Sequence, residues 1–520
     1  MHLYKKILIW IAGFFVLVLL ATFGVNYWLN NHLPRIIFEE NQTPYNITYK
    51  DLKISLWNTS MKASRVVIVP KSALKDTINK AGIYSKIESV AIENFKVWDL
   101  LFYNKIKAKA IVIKKPELVL YKKNEKAINN TKSINSEIAE PFQKLIVVSD
   151  IYLTNGDLKI IYLKSNKPIL STKNINFKMD GIVTSNEILK NKIPILFSNY
   201  SLSCDSVYYS VNPFYTLTAS QIKTTNTNLS IKKLTLIPKY SRKQFVQKIS
   251  KEKDLFELNA ESVTFKKMNW GFTNEKFFFG TDEIILDGLY ANIYRNKIPA
   301  DDLSKKYLYN KLLREIPFKL NVNTLQIKNS QLVYEEEINF KKGPGILTFD
   351  KFNLEAKNIQ SGFNQKKLND LKIKITCQFM KTSPLKVNWS FNVLDKNDGF
   401  NIKGNILNFN SRKITPFLKP NNNVTTEGIL NEVRFNFTGN DNIARGSFGL
   451  NYSNLKVTVF KTKKPQEISK LKTAIGNLLI KNDSKNQIKY QTIEVERIQE
   501  KSFYNFFWRC IGEGLKKSVL

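Results

Sequence analysis

Polar and apolar side chains alternate along most of the chain from residue 45 onward, and this alternation limits the possible folds more than any other feature. In 107–121, lysines alternate with apolar residues until Pro116, which we expect to separate two strands. Successive side chains of a β-strand point to opposite faces, so a period of two gives each strand one polar and one apolar face. We therefore predict a mostly β protein whose apolar sheet face must be covered.

A short phrase recurs within this alternation, at intervals close to one or two multiples of a unit of about 60 residues. Each copy has two apolar residues two positions apart, then a polar residue two positions later, and a further apolar residue seven positions after the first. We interpret the copies as strands joined by tight turns at Asn or Gly. The polar members are Asn94, Asn155, Lys267 and Asn329. The candidate groove-lining residues are the apolar pairs of the four copies and two C-terminal phenylalanines: Val90, Ile92, Ile151, Leu153, Val263, Phe265, Leu325, Ile327, Phe435 and Phe437.

An uncharged stretch near the N-terminus, 7–28, predicts a transmembrane helix. It would form a helix of roughly 33 Å, enough to cross a hydrocarbon core of ~30 Å. Lys5 and Lys6 precede it, so residues 1–6 are expected in the cytoplasm and the rest of the chain outside it. A cleavable signal peptide is the competing interpretation, but the apolar run is longer than such peptides need and no Ala-x-Ala site follows it. The candidate anchor residues are Ile7, Trp10, Phe14, Leu19 and Trp28.

Changes in these patterns predict the organisation of the rest of the chain. Residues 29–44 form a connector, 45–400 a repetitive β-groove body, and 401–500 a C-terminal β region. Helical inserts are predicted in the body near 71–80, 240–251 and 301–315. Because few helices can cover the sheet, we expect an elongated, curled, antiparallel-type sheet whose apolar face forms a groove. The alternative is a groove filled by its own side chains.

The last segment, 501–520, predicts an amphipathic helix with one apolar face. Phe503, Phe506, Phe507 and Ile511 share that face and are the candidate docking residues. The face would plug the end of the groove, lie on the inner leaflet of an outer membrane, or bind another protein. Packing inside the protein as a cap is the alternative.

The positive charge of the chain does not by itself indicate a nucleic-acid partner. The chain has 80 Lys and Arg against 44 Asp and Glu, a net charge of +36. The basic residues are scattered, however, and no nucleic-acid-binding motif appears. We interpret the lysines as a solvated strand face that discourages edge pairing, or as compositional bias. Attraction to anionic lipid headgroups is the remaining functional interpretation.

The residues that common catalytic and metal chemistry needs are missing or badly placed. Both histidines, His2 and His32, flank the predicted anchor, which argues against histidine catalysis or zinc binding in the body. Glu335 and Glu337 imitate a carboxylate pair but are interpreted as a solvated strand end. The cysteines lie too far apart in sequence to suggest a disulfide framework: Cys204, Cys377 and Cys510. We assign no catalytic residue, cofactor or metal, and we do not expect an enzyme.

A C-terminal run of strands resembles a known family. It reads IleLysGlyAsnIleLeuAsnPheAsn from 402, GlyIleLeuAsnGluValArgPheAsnPheThrGly from 428 and AlaArgGlySerPheGlyLeuAsnTyr from 444. Its turns and apolar positions, with an N-terminal anchor leading directly into strands, resemble the AsmA-like envelope proteins. The resemblance implies an inner-membrane-anchored, single-pass protein whose bulk lies in the periplasm of a Gram-negative-type envelope. It also implies a β-groove related to bridge-like lipid transfer proteins, and a role in lipid transport or outer-membrane homeostasis.

Two functions are therefore expected. The first is binding or conduction of phospholipid, or another acyl lipid, between envelope membranes through the apolar groove. The inner membrane is then one partner, and the outer membrane or one of its proteins is a further candidate. The second is a non-enzymatic assembly or structural factor for outer-membrane proteins that acts through protein contacts, such as strand addition. An anchored envelope hydrolase would need a tight carboxylate pair in a pocket.

Overall fold

The computed structural model describes residues 23–25, 27, 44–75, 81–97, 99, 106–123, 146–183, 188, 195–461, 468–469, 483–484 and 487–519. The chain is mostly β, with 64% strand against 13% helix, which confirms the fold class that the alternation predicts. It divides into two compact units, one made of Met1–Ser210 with Ser220–Asn226 and the other of Val211–Ala219 with Thr227–Leu520.

The predicted anchor and connector lie outside the described residues, apart from the helical residues at 23–25 and 27 and residue 44, which directly precedes β1. Outside the described residues lie all five candidate anchor residues: Ile7, Trp10, Phe14, Leu19 and Trp28. In the part of the chain that the structure describes, no helix has both the length and the apolar composition needed to span a bilayer.

The first unit is a sheet whose strands follow one another along the chain. Its elements are β1 (Tyr45–Thr48), β2 (Asp51–Ser55), β3 (Ser60–Pro70), α1 (Lys71–Lys75), β4 (Gly82–Phe95), β5 (Ile106–Lys122), β6 (Ile146–Tyr162), β7 (Lys167–Asp180) and β8 (Asn199–Ser210). Strand β9 (Tyr215–Thr225) contributes residues to both units. Neighbouring strands pair antiparallel except β5 and β6, which are parallel.

The second unit contains most of the remaining strands and helices. Its strands are β10 (Leu229–Pro238), β11 (Leu255–Lys266), β12 (Asn269–Thr273), β13 (Lys276–Asp287), β14 (Tyr290–Asn296), β15 (Lys319–Glu337), β16 (Gly345–Gln360), β17 (Leu371–Phe379), β18 (Ser383–Phe391), β19 (Phe400–Asn410), β20 (Val424–Gly439), β21 (Ile443–Val459) and β22 (Lys489–Glu496). Its helices are α2 (Arg242–Lys248), α3 (Tyr309–Arg314), α4 (Thr415–Asn422) and α5 (Phe503–Val519), and a short 3₁₀ helix (Ser411–Ile414) precedes α4.

The strand pairing is mixed, which corrects the antiparallel-type sheet that we predicted. Strands β13 and β14 both pair antiparallel with β11, and both pair parallel with β15. The two behave as one interrupted strand. The interruption falls at Gly288, whose φ of 61° is a left-handed conformation that glycine adopts at little cost.

The polar residue of the recurring phrase has a structural role that we did not predict. Asn94, Asn155, Lys267 and Asn329 all have a positive φ of 50–53°, and the pairing register shifts around Asn155 and Asn329. Strands β6 and β15 continue through Asn155 and Asn329, so these two residues lie in β-bulges rather than in turns. A bulge takes one extra residue. A regular strand would place the apolar residue seven positions after the first apolar residue of the phrase on the opposite face. In the copies with Asn155 and Asn329, the bulge returns that residue to the same face.

Pro116 does not separate two strands, contrary to the prediction. It lies within β5, opposite Ile87 of β4. The preceding residue, Lys115, has a left-handed φ of 45°. The backbone of β5 is distorted at this point, but its pairing with β4 keeps the same register on both sides of it.

Of the predicted helical inserts, α1 and α2 fall inside their ranges, and α2 begins with a capping box formed by Ser241 and Gln244. The third is only partly confirmed, because α3 starts at Tyr309 and 301–308 is not helical. There Asp302 accepts a hydrogen bond from the backbone N–H of Ser304, and such local bonds compete with helix formation. The predicted C-terminal helix is confirmed as α5.

Candidate functional site

Two rows of apolar side chains cross one face of the second unit, perpendicular to its strands. Each member is the direct cross-strand partner of the next. Row one is Leu229, Phe265, Ile284, Leu325, Ala356, Ile373, Trp389, Ile402 and Phe437. Row two is Ile231, Val263, Leu286, Ile327, Leu354, Ile375, Val387, Gly404, Phe435 and Phe448. All six candidate residues of this unit therefore lie on two adjacent rows, although they are up to 174 positions apart in sequence (Val263 to Phe437).

The rows have an open stretch on β10, β11, β13, β15 and β16. Phe265, Leu325 and Ile327 are half-buried there, as are most of their row neighbours. Val263 and Ala356 are buried. The open stretch thus presents a continuous apolar surface with partial access to solvent, which a filled core would not have.

The rows have a closed stretch on β18–β21, where the main core of the unit sits. Phe435 and Phe437 are buried, and Phe448 is 0% exposed. These residues pack with β22, α3 and α5 into one cluster. The apolar face is therefore accessible at one end and filled at the other, so each of the two interpretations of the groove applies to a different stretch.

Helix α5 is what closes this end of the face. Phe503 stacks on Trp389 with ring centres 4.5 Å apart and ring planes within 5°. Phe506 lies 6.1 Å from Phe400, and Phe507 lies 5.2 Å from Phe435. The helix backbone approaches so closely that a Cβ added at Gly514 would overlap the ring of Phe448.

The candidate docking residues of α5 are accordingly placed in the core of the protein. Phe503 and Phe506 are buried, and Phe507 and Ile511 pack against the same cluster. This is the arrangement of an internal cap. The large side chains that α5 leaves exposed are Tyr504 and Trp508, which lie beside its core-facing side.

The first unit has an equivalent pair of rows. One is Ala63, Val90, Ile113, Leu153, Phe177 and Leu202, and the other is Met61, Ile92, Ile111, Ile151, Met179 and Tyr200. Val90, Ile151 and Leu153 are half-buried, whereas Ile92 is buried in a small core with Met61 and others. The four candidates of this unit thus also share one face.

The opposite sheet face carries the polar side chains. On β17 and β18 it presents Lys372, Lys374 and Lys386, all exposed and alternating with the row residues. Lys403 of β19 is exposed on the same face, opposite Asn388. This arrangement is the solvated lysine face that the composition suggested.

Glu335 and Glu337 are buried, so interpreting them as a solvated strand end was wrong. Arg242 of α2 donates two hydrogen bonds to Glu335, at 2.6 and 2.8 Å, and Asn292 donates a third at 2.6 Å. The Tyr294 hydroxyl donates to Glu337. Burial would lower the pKa of Arg242, but its bonds to Glu335 outweigh this and raise it. Protein donors thus hold both carboxylates, which suits a structural tie between α2, β14 and β15 better than a catalytic pair.

Sequence reasoning did not single out Trp389, Phe400 and Phe448, which form much of the closed stretch. Their own strands show the same alternation, in 383–391, 400–410 and 443–451. Counting every alternating segment, rather than only the recurring phrase, would have found them. Among the residues that the structure describes, no group of three or more His, Cys, Asp or Glu side chains is arranged to hold a metal ion.

No protein-family model matches the chain, and no curated protein matches it in sequence. The residues that carry its function must therefore be identified from its own sequence and structure.

Proposed function

We propose that this protein binds acyl lipid on the open stretch of its apolar rows and conducts it between the membranes of a Gram-negative-type envelope. In this proposal it is an AsmA-like protein, anchored in the inner membrane through 7–28, with its bulk in the periplasm and no enzymatic activity. The observation that carries the proposal is the half-buried, uncharged surface formed by the open stretch of rows one and two.

The size of this surface suits an acyl chain better than a small polar ligand. The open stretch crosses five strands in succession, which at about 4.8 Å per strand spans roughly 20 Å. Large exposed apolar surfaces on a protein indicate a binding partner. A saturated hydrocarbon chain needs no hydrogen bonds, and neither row carries a charged side chain. Covering such a surface contributes about 25 cal/mol per Å² of apolar area.

The closed stretch limits where a lipid can lie. Phe435 and Phe437 contact Phe507 of α5, so an acyl chain that follows the rows beyond β17 must displace that helix. The proposal therefore places bound lipid against Phe265, Leu325 and Ile327, and requires movement of α5 for passage further along the face.

The test is site-specific photocrosslinking of the full chain in Gram-negative cells. A photoreactive amino acid replaces Phe265 or Ile327 in the open stretch, and Phe435 serves as the matched control in the closed stretch. We expect lipid adducts at the first two positions and none at the third. Phospholipid should also co-purify with the unmodified chain and be detectable by mass spectrometry.

Two results would contradict the proposal. Absence of both lipid adducts and co-purifying lipid would remove lipid binding altogether. Protein adducts at Phe265 and Ile327 in place of lipid would instead support the alternative function, an assembly factor for outer-membrane proteins.

A further inference from the structure

A second apolar surface of the second unit lies outside rows one and two. It is formed by six exposed side chains from the loop before α3, from α3 itself, and from α5 with the segment before it. These are Leu303, Tyr307, Leu312, Ile498, Tyr504 and Trp508, and we call them the exposed patch. Leu303 is 72% exposed, Tyr504 56% and Trp508 41%.

Several contacts hold the segments of the exposed patch together. The backbone N–H of Lys306 donates to the carbonyl of Gln499 at 2.8 Å. The Lys501 ammonium lies 2.9 Å from the Asp301 carboxylate. Beneath the surface, the ring of Tyr309 lies 6.2 Å from that of Phe503. The patch is therefore a surface held in place by the fold, although its residues are about 200 positions apart in sequence.

The charge around the exposed patch is positive. Segments 298–315 and 497–519 contain nine Lys and Arg against five Asp and Glu, and Asp398 and Asp441 from outside these segments pair with Arg314, Lys305 and Arg497, which leaves an excess of two positive charges. Three of the acidic side chains are in ion pairs with lysines of the same segments: Asp301 with Lys501, Asp302 with Lys306, and Glu315 with Lys311. Two of the nine, Lys516 and Lys517, lie at the C-terminal end of α5.

We propose that the exposed patch docks on the surface of a phospholipid bilayer that carries anionic headgroups. Tyr and Trp are favoured at the boundary between headgroups and acyl chains, where one part of the ring is apolar and another polar. Exposed Leu and Ile side chains enter the boundary layer, and surrounding lysines are attracted to anionic headgroups.

The charge of the exposed patch argues against a second copy of this chain as the occupant. Two copies would bring surfaces of the same sign together, which is unfavourable. The docking proposal is independent of lipid binding on rows one and two. It uses different residues, because the side chains that α5 contributes to the exposed patch, Tyr504 and Trp508, are not those that pack on the rows.

The test is vesicle flotation with the full chain carried in nanodiscs. Vesicles of phosphatidylethanolamine with phosphatidylglycerol are compared with vesicles of phosphatidylcholine alone. The test variant combines Leu303→Ser, Tyr504→Ser and Trp508→Ser. The matched control combines Tyr290→Ser and Ile429→Ser, which change exposed side chains elsewhere in the same unit.

We expect the test variant to bind anionic vesicles at least about tenfold more weakly than the unmodified chain, and the control to bind within about twofold. The unmodified chain, the test variant and the control variant should each bind phosphatidylcholine vesicles more weakly than anionic vesicles. A crosslinker at Trp508 in the otherwise unmodified chain avoids any folding defect of the triple variant, and we expect it to capture vesicle lipid.

Equal flotation of the test variant and the unmodified chain would overturn the proposal, as would no flotation of the unmodified chain. Crosslinking at Trp508 to a second copy or to another protein, without lipid, would also overturn it. Because lipid adducts at Phe265 are scored separately, the failure of this proposal and the failure of lipid conduction are distinguishable.

Discussion

The open and closed stretches of rows one and two share one strand pattern but differ in what lies over them. Phe265 and Phe435 are both aromatic row residues on strands that alternate polar and apolar side chains. Phe265 is half-buried, whereas Phe435 is buried beneath Phe507 of α5. The difference arises from a helix near the end of the chain and from no property of the strands themselves.

This comparison shows that alternation determines which face of a sheet is apolar, but not what covers that face. The covering element decides whether apolar residues stabilise the fold or remain accessible to a ligand. In the second unit both outcomes occur on adjacent strands of one face. Substitutions at equivalent row positions should therefore affect stability in the closed stretch and ligand binding in the open stretch.

The largest effect is expected from Phe448→Ala in the closed stretch. Removing a fully buried phenylalanine leaves a cavity and should lower the free energy of unfolding by about 3–5 kcal/mol. Phe265→Ala, the matched change in the open stretch, should cost less than half as much, because its ring is already partly solvated. Denaturant unfolding of the full chain measures both. Equal losses would show that the open stretch is packed as tightly as the closed one.

The closeness of α5 to the sheet can be tested with two glycines of that helix. An added Cβ at Gly514 would overlap the Phe448 ring, whereas one at Gly512 has nothing within 4 Å. We expect Gly514→Ala to destabilise the closed stretch by about 2 kcal/mol through overpacking. Gly512→Ala should be neutral or stabilising by up to about 1 kcal/mol, because alanine favours helix. A stable Gly514→Ala protein would mean that α5 is docked more loosely than the structure shows.

Cys510 gives the closed stretch a dependence on alkaline pH. This thiol of α5 is buried, and burial raises its pKa from 9.0 to about 11. Because the pKa is higher in the folded chain, the protonated Cys510 thiol contributes its full stabilisation of the folded state below pH 9. This stabilisation is lost as the pH rises from 9 to about 11, because the thiol of the unfolded chain ionises in this range while that of the folded chain stays protonated. At pH 10 the loss should be about 1 kcal/mol.

The measurement compares the unmodified chain with Cys510→Ala in denaturant at pH 8 and pH 10, so that the effects of the other titrating groups cancel. The stability advantage of cysteine over alanine should shrink by about 1 kcal/mol across this interval. An advantage that does not change with pH would show that the thiol is accessible to water. Alkylation of Cys510 should in addition be faster in Gly514→Ala, because that variant loosens the cap.

The fold class, the apolar face and the amphipathic α5 could be predicted because each depends on a local period of two or 3.6 residues. The cover over Phe435 could not, since it is formed by Phe507, 72 positions later. The burial of Glu335 was missed for the same reason. Its partner Arg242 is 93 positions away, and no local pattern indicates the pairing. The parallel pairing of β5 with β6 likewise depends on chain connections rather than on strand composition.

Effects smaller than that of Phe448→Ala are expected at two strand positions with a left-handed backbone conformation. Asn329 in β15 and Asn408 in β19 both have a φ of 51°. Asparagine adopts this left-handed conformation more readily than β-branched residues do, so Asn329→Val and Asn408→Val should each cost about 1–2 kcal/mol. The corresponding glycine variants should remain close to the unmodified chain in denaturant unfolding. Ile406 and Phe409, which lie close to Asn408 in β19, pack into one core cluster, so backbone strain there disturbs a filled core. Next to Asn329, Lys328 is exposed and Ser330 is a buried polar residue, so strain there disturbs less apolar packing. Asn408→Val should therefore be the more destabilising of the two, and the reverse order would show that these left-handed positions stabilise the sheet independently of what covers it.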